Sequence, residues 1–115
     1  MGDSFPNKFN ARRVEWNGIH FRSMLELNYA KELELRRYAE NPTERVEAWE
    51  YEITFWIPTI HRKPRYVKHI VDFWVRWASG CDQLVEVKGR DTPAGRVKRL
   101  WLESYLGEPI TVRWG

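Results

Sequence analysis

Asp72 stands inside an apolar run, Ile70-Val71-Asp72-Phe73-Trp74-Val75, and that placement restricts what the chain can become. Val, Ile, Phe and Trp suit the packed surface of a pleated sheet, so the run reads as a buried strand. A carboxylate there is costly to desolvate unless it is paired or holds a metal. Fourteen positions on comes a second such run, Leu84-Val85-Glu86-Val87-Lys88-Gly89. Side chains alternate across a sheet, so Glu86 and Lys88 point to one face and Val87 to the other. If the two strands are neighbours, two carboxylates and an ammonium meet at one spot. Metal-assisted hydrolysis of a phosphodiester needs such a set of groups.

The remaining segments supply a sheet and its covering helices. Val14-Glu15-Trp16, Asn17-Gly18 and Ile19-His20-Phe21 make a strong hairpin signal, because Asn-Gly tolerates the positive φ angles of a type I′ turn. Ser23 is a good N-cap with Glu26 three residues on, a capping box. Met24, Leu27, Ala30, Leu33 and Tyr38 give that helix apolar positions, and Asn41-Pro42 ends it. Val46 to Ile57 reads as a long strand with Trp49, Tyr51, Ile53, Phe55 and Ile57 on one face and Glu50, Glu52, Thr54 and Trp56 on the other. Strands follow over Tyr66 to Trp77 and Gln83 to Lys88. A second helix begins with Asp91 or Thr92 as cap and Pro93 in its first turn, with Ala94, Val97, Leu100, Trp101 and Tyr105 as its apolar face. Gly107 stops it before a short strand at Ile110–Trp114. The order hairpin, α, β, β, β, α, β implies an α/β fold: a mixed sheet with a helix on each face. A right-handed crossover makes the last strand parallel to its predecessor.

A chain of 115 residues is one domain, here residues 14–115, preceded by a basic arm over residues 1–13. It has no run of about 18 apolar residues, so no membrane span is expected. The first residues lack the layout of a secretory signal, and Cys81 is the single cysteine, so a cytoplasmic protein is expected. The net charge of +3 is uneven: positives gather at Lys8, Arg12 and Arg13, at Arg62, Lys63 and Arg65, and at Arg90, Arg96, Lys98 and Arg99. Such clusters attract a polyanion, although a solvated surface accounts for them equally well. Arg outnumbers Lys 13 to 6, which suits bidentate phosphate contacts. Trp49, Trp56, Trp74, Trp77 and Trp101 fall in periodic segments and read as core or subunit interface. His20, His61 and His69 lack ligand spacing and read as surface or loop groups, with a place near the cleft left open for His20 and His69.

Asp72 followed by Glu86-x-Lys88, in an αβββαβ order, resembles the PD-(D/E)xK nuclease superfamily over roughly residues 20–114. Val71 stands where that pattern often has proline. The resemblance implies a restriction-endonuclease-like core with an added N-terminal hairpin. The opening Phe21-Arg22-Ser23-x-x-Glu26 is similar to small archaeal-type Holliday-junction resolvases and to phage proteins of like length. By that resemblance Asp72, Glu86, the Val87 carbonyl and Glu26 hold Mg²⁺, for which Mn²⁺ substitutes. Lys88 orients or helps deprotonate the attacking water, and Ser23 contributes to activity. The capping box explains Glu26 and Ser23 equally well. Arg12, Arg13, Lys63, Arg65, Arg90 and Lys98 then contact the DNA backbone. The expected enzyme is a Mg²⁺-dependent, structure-selective endodeoxyribonuclease working on four-way junctions as a homodimer, in a cytoplasm or, if phage-encoded, that of the host. The alternatives are a nicking, repair or packaging nuclease of the same fold acting with a partner, and a non-catalytic DNA-binding module.

Overall fold

The computed structural model describes residues 14–59, 63 and 65–115. Strands β1 (Val14–Trp16) and β2 (Ile19–Phe21) form the hairpin, with Asn17 at φ 57° and Gly18 at φ 78° in its turn. A type I′ turn, with positive φ at both positions, matches the right-handed strand twist, so Asn-Gly fixes the register Val14↔Phe21. Helix α1 (Met24–Arg36) begins at Ser23, whose Oγ accepts the backbone N–H of Glu26. It stops short of Asn41-Pro42. The Asn41 side chain accepts from Thr43, and its carbonyl accepts from Glu44 and Arg45, so a local turn wins over further helix.

Strands β3 (Val46–Thr59), β4 (Arg65–Trp77) and β5 (Asp82–Lys88) run antiparallel in turn, and β6 (Thr111–Trp114) pairs parallel to β5 after helix α2 (Pro93–Leu106). The αβββαβ sequence, the mixed sheet and the parallel last strand are those expected, and the strand order in the sheet is β3-β4-β5-β6. Two apolar clusters cover the two faces. Phe21, Leu27, Tyr29, Ala30 and Leu33 pack on Phe73, Val75, Val85 and Val87; Leu102 and Ile110 pack on Ile57, Val71 and Leu84.

Two sequence expectations fail here for physical reasons. The single apolar face expected for Val46–Ile57 is divided: Trp49 and Tyr51 join the α1 cluster, whereas Phe55 and Ile57 join the α2 cluster. Glu52, at φ 61°, has the left-handed backbone that resets the alternation. On the partner strand the same change falls between Val71 and Phe73, which belong to opposite clusters. The apolar face expected for α2 points outward instead. Val97, Leu100, Trp101 and Tyr105 are exposed, and Leu102 and Arg99 face the sheet. Arg99 takes a core-facing position because acids wait for it there, Asp91 and Glu86. Trp56 is likewise exposed, while Trp49, Trp74 and Trp77 are partly buried against the core.

Candidate functional site

Strands β4 and β5 are partners only from Phe73↔Val85 to Arg76↔Asp82. One residue beyond, the backbone ladder gives way to a side chain: Asp72 Oδ2 accepts the Val87 N–H at 2.8 Å. A carboxylate thus sits between two parting strands. Among the described residues β4 continues with β3 alone, and β5 continues with β6, so a gap opens beside Glu86 and Lys88.

A cleft of about 500 Å³ opens there, walled by Arg22, Lys68, His69, Glu86, Lys88 and Lys98 together with the first turn of α2. Thr92 caps that helix by accepting the Gly95 N–H, so the positive end of the helix dipole faces the cleft. Phosphate is a fitting occupant on charge and on hydrogen-bond donors alike.

Arg22 was not singled out in the sequence, and it organises the acidic side of the site. Its Nη2 lies 2.5 Å from Asp72 Oδ1 and 3.5 Å from Glu26 Oε2, and its Nε lies 3.1 Å from Glu52 Oε2. The strained backbone of Glu52 delivers that third carboxylate, at roughly 1–2 kcal/mol for a non-glycine residue. Glu26 is buried on α1 and accepts a short hydrogen bond from the Tyr51 hydroxyl. The capping box is therefore half made: Ser23 caps the helix, and the Glu26 carboxylate is committed to the site. Ser23 itself is placed by its cap bond.

Burial dominates the electrostatics at Asp72. It raises the carboxyl to about 6, with Glu26 adding to the rise and the Val87 N–H and Arg22 opposing it. Burial works against the Arg22 charge, yet Tyr51, Glu26 and Asp72 together hold its proton more tightly than usual. Tyr51 is pushed up to about 12 by burial and by its bond to Glu26. Three carboxylates, Asp72, Glu26 and Glu52, thus share the single guanidinium of Arg22.

Glu86 is placed from the other side. His69 Nε2 is 3.2 Å from Glu86 Oε2, and Arg99 Nη1 and Lys88 Nζ lie 3.5 and 3.9 Å from Oε1. Arg99 also holds Asp91 at 2.7 Å, and that hydrogen bond keeps Asp91 below the ordinary carboxylate range. His69 is thus a cleft residue and not a surface one, its side chain 10% exposed and within reach of Glu86. His20 lies on the hairpin away from the cleft, and His61 is outside the described residues.

The expected backbone contacts divide. Lys98 lines the cleft; Lys63, Arg65 and Arg90 are exposed outside its walls; Arg12 and Arg13 lie outside the described residues. Lys68, unremarked in the sequence, takes a cleft position. Among the described residues, no three His, Cys, Asp or Glu side chains are already gathered as a cation cage. The available donors, Asp72, Glu86, Glu26 and the Val87 carbonyl, are all hard oxygens, which suit Mg²⁺ or Mn²⁺. Arg22 supplies a positive charge between Asp72 and Glu26, and its side chain is 44% exposed, whereas Glu86 is held from the other side by His69, Lys88 and Arg99. In donor chemistry the site fits a divalent ion, with Arg22 as its competitor.

Among the described residues no helix is long and apolar enough to cross a membrane. No curated protein and no solved structure matches the chain. A family model described as a protein of unknown function (DUF1064) matches residues 6–113, and the chain belongs to that family.

Proposed function

We infer that this protein is a Mg²⁺-dependent endodeoxyribonuclease selective for branched DNA, with the Holliday junction as the preferred substrate. One observation carries the reading: β4 and β5 part at the Asp72–Val87 bridge, with Glu86 and Lys88 on the departing strand at the wall of a basic cleft. Asp72, Glu86 and the Val87 carbonyl would hold the ion, with Glu26 close by. The ion would supply Lewis-acid stabilisation of charge on the phosphoryl oxygens. Lys88, as an ammonium, would orient the attacking water and stabilise the charge developing on the phosphoryl oxygens, the water's proton passing to solvent. Lys98, Lys68 and the first turn of α2 hold the phosphates, which positions DNA without reading bases. In-line attack leaves 5′-phosphate and 3′-hydroxyl ends.

Cutting two strands symmetrically calls for a two-fold homodimer. The outward stripe of Val97, Leu100, Trp101 and Tyr105 is the surface proposed for it. The test is a labelled four-way junction incubated with purified protein and Mg²⁺. Paired, symmetric nicks are expected; an intact junction beside cut linear duplex would reject the junction preference.

A second reading, a DNA-binding module without catalysis, is favoured by the Arg22 contacts, which already neutralise Asp72 and Glu26. The two readings separate on Mn²⁺ binding by calorimetry. If Arg22 only competes with the ion, Arg22→Gln tightens Mn²⁺ binding roughly tenfold, about 1.4 kcal/mol. Absence of binding in both parent and variant would favour the module.

A further inference from the structure

Beyond the ladder with β5, β3 and β4 run on together from Ile53↔Val71 to Thr59↔Arg65 as a two-stranded ribbon. One face is packed: Phe55, Ile57 and Val71 belong to the α2 cluster. Direct cross-strand partners share a face, so the pairs Thr54↔Ile70, Trp56↔Lys68 and Pro58↔Tyr66 make up the other. That face is open. Trp56 is 58% and Tyr66 62% exposed, and the two lie on the diagonal between adjacent rungs. Lys68 Nζ stands 5.8 Å from the centre of the Trp56 ring.

Two large aromatic surfaces left in water lose the benefit of burial unless something covers them. The charges indicate what does. None of these six residues is acidic, Arg65 and Lys63 are exposed at the end of the ribbon, and Lys68 and Ile70 are also walls of the cleft. The aromatic face is therefore continuous with the surface assigned to phosphate. A continuous duplex hides the faces of its bases, whereas an unpaired strand offers them. Aromatic rings beside lysines serve the second and not the first.

We propose that Trp56 and Tyr66 form a stacking platform for unpaired bases of a nucleic-acid strand whose phosphates pass Lys68 into the cleft. The proposal deepens the nuclease reading, since it names what makes the substrate structure-selective. Stacking at the ribbon rewards a junction or flap with open bases over an intact duplex.

The experiment is fluorescence anisotropy of the full chain in EDTA, with two labelled probes: a blunt duplex, and the same duplex carrying a single-stranded flap. Trp56→Ala with Tyr66→Ala is expected to weaken flap binding about tenfold to a hundredfold, and duplex binding less than about threefold. Trp56→Phe with Tyr66→Phe keeps most of the flap preference, because a ring remains. Lys68→Ala weakens both probes alike, as a phosphate contact should. Equal losses on both probes, or no loss on either, would overturn the platform. So would an unchanged preference accompanied by loss of a dimer on gel filtration, which makes a second copy the occupant. The assay needs no cleavage. A protein that prefers flaps through these rings but never cuts refutes only the nuclease reading, and one that cuts with rings and preference uncoupled refutes only the platform.

Discussion

Asp72→Asn is expected to abolish cleavage while making the metal-free protein more stable. The activity loss should be on the order of a thousandfold or more, since a metal-centred charge interaction is worth several kcal/mol in the transition state. The stability gain follows from the carboxyl's environment. Its value in the fold, about 6, lies above the ordinary 3.8 because burial disfavours the ion. A raised acid contributes no penalty below the unfolded value. The penalty develops as pH rises between the two values and is complete above about 6. Parent stability in EDTA should therefore fall across that window, by about 2–3 kcal/mol, and the variant's should not. Asn keeps an oxygen for the Val87 N–H, so the bridge between the strands survives. Thermal melts against pH, run beside a cleavage assay, check both effects. A variant less stable than the parent at neutral pH would make Asp72 a structural anchor paired with Arg22.

Lys88→Ala is the complementary case, a large kinetic loss with little change in fold. The ammonium is 28% exposed at the end of β5 and 3.9 Å from Glu86, so it anchors no core contact. Its removal should change stability by no more than about 0.5 kcal/mol. A positioned charge facing the developing negative charge contributes about a hundredfold to a thousandfold, and kcat should fall by that factor with KM for DNA within a few-fold. Lys88→Arg keeps charge at the cleft but spreads it over a larger planar fork that does not take the place of the compact ammonium, so it restores binding and not turnover. Full activity in the arginine variant would reduce Lys88 to a phosphate contact. Unchanged turnover in the alanine variant would remove it from the chemistry.

The order of elements was legible because each carries a local signal: Asn17-Gly18 for the hairpin, Ser23 and Thr92 for the helix starts, Gly107 at φ 76° for the second helix end. Asp72, Glu86 and Lys88 stood out because charge is unusual in apolar strands. The partners of those groups did not stand out. Arg22 and Tyr51 are separated from Asp72 by 50 and 21 positions, and nothing local distinguishes an arginine that will turn inward. The left-handed Glu52 had no glycine to announce it, so the reversal of faces it causes was invisible to a period-two reading. Outward apolar residues on α2 misled for a related reason. Helical periodicity finds a stripe without saying whether the sheet or another surface covers it, and here Arg99 took the inner position through Glu86 and Asp91.

The most direct measurement is an anomalous difference map from crystals of the full chain soaked in Mn²⁺. A peak within about 2.0–2.3 Å of oxygens from both Asp72 and Glu86, with the Arg22 guanidinium turned away, is the expected result. Density confined to other carboxylates, or a guanidinium still seated on Asp72 at saturating Mn²⁺, would contradict a metal-dependent nuclease.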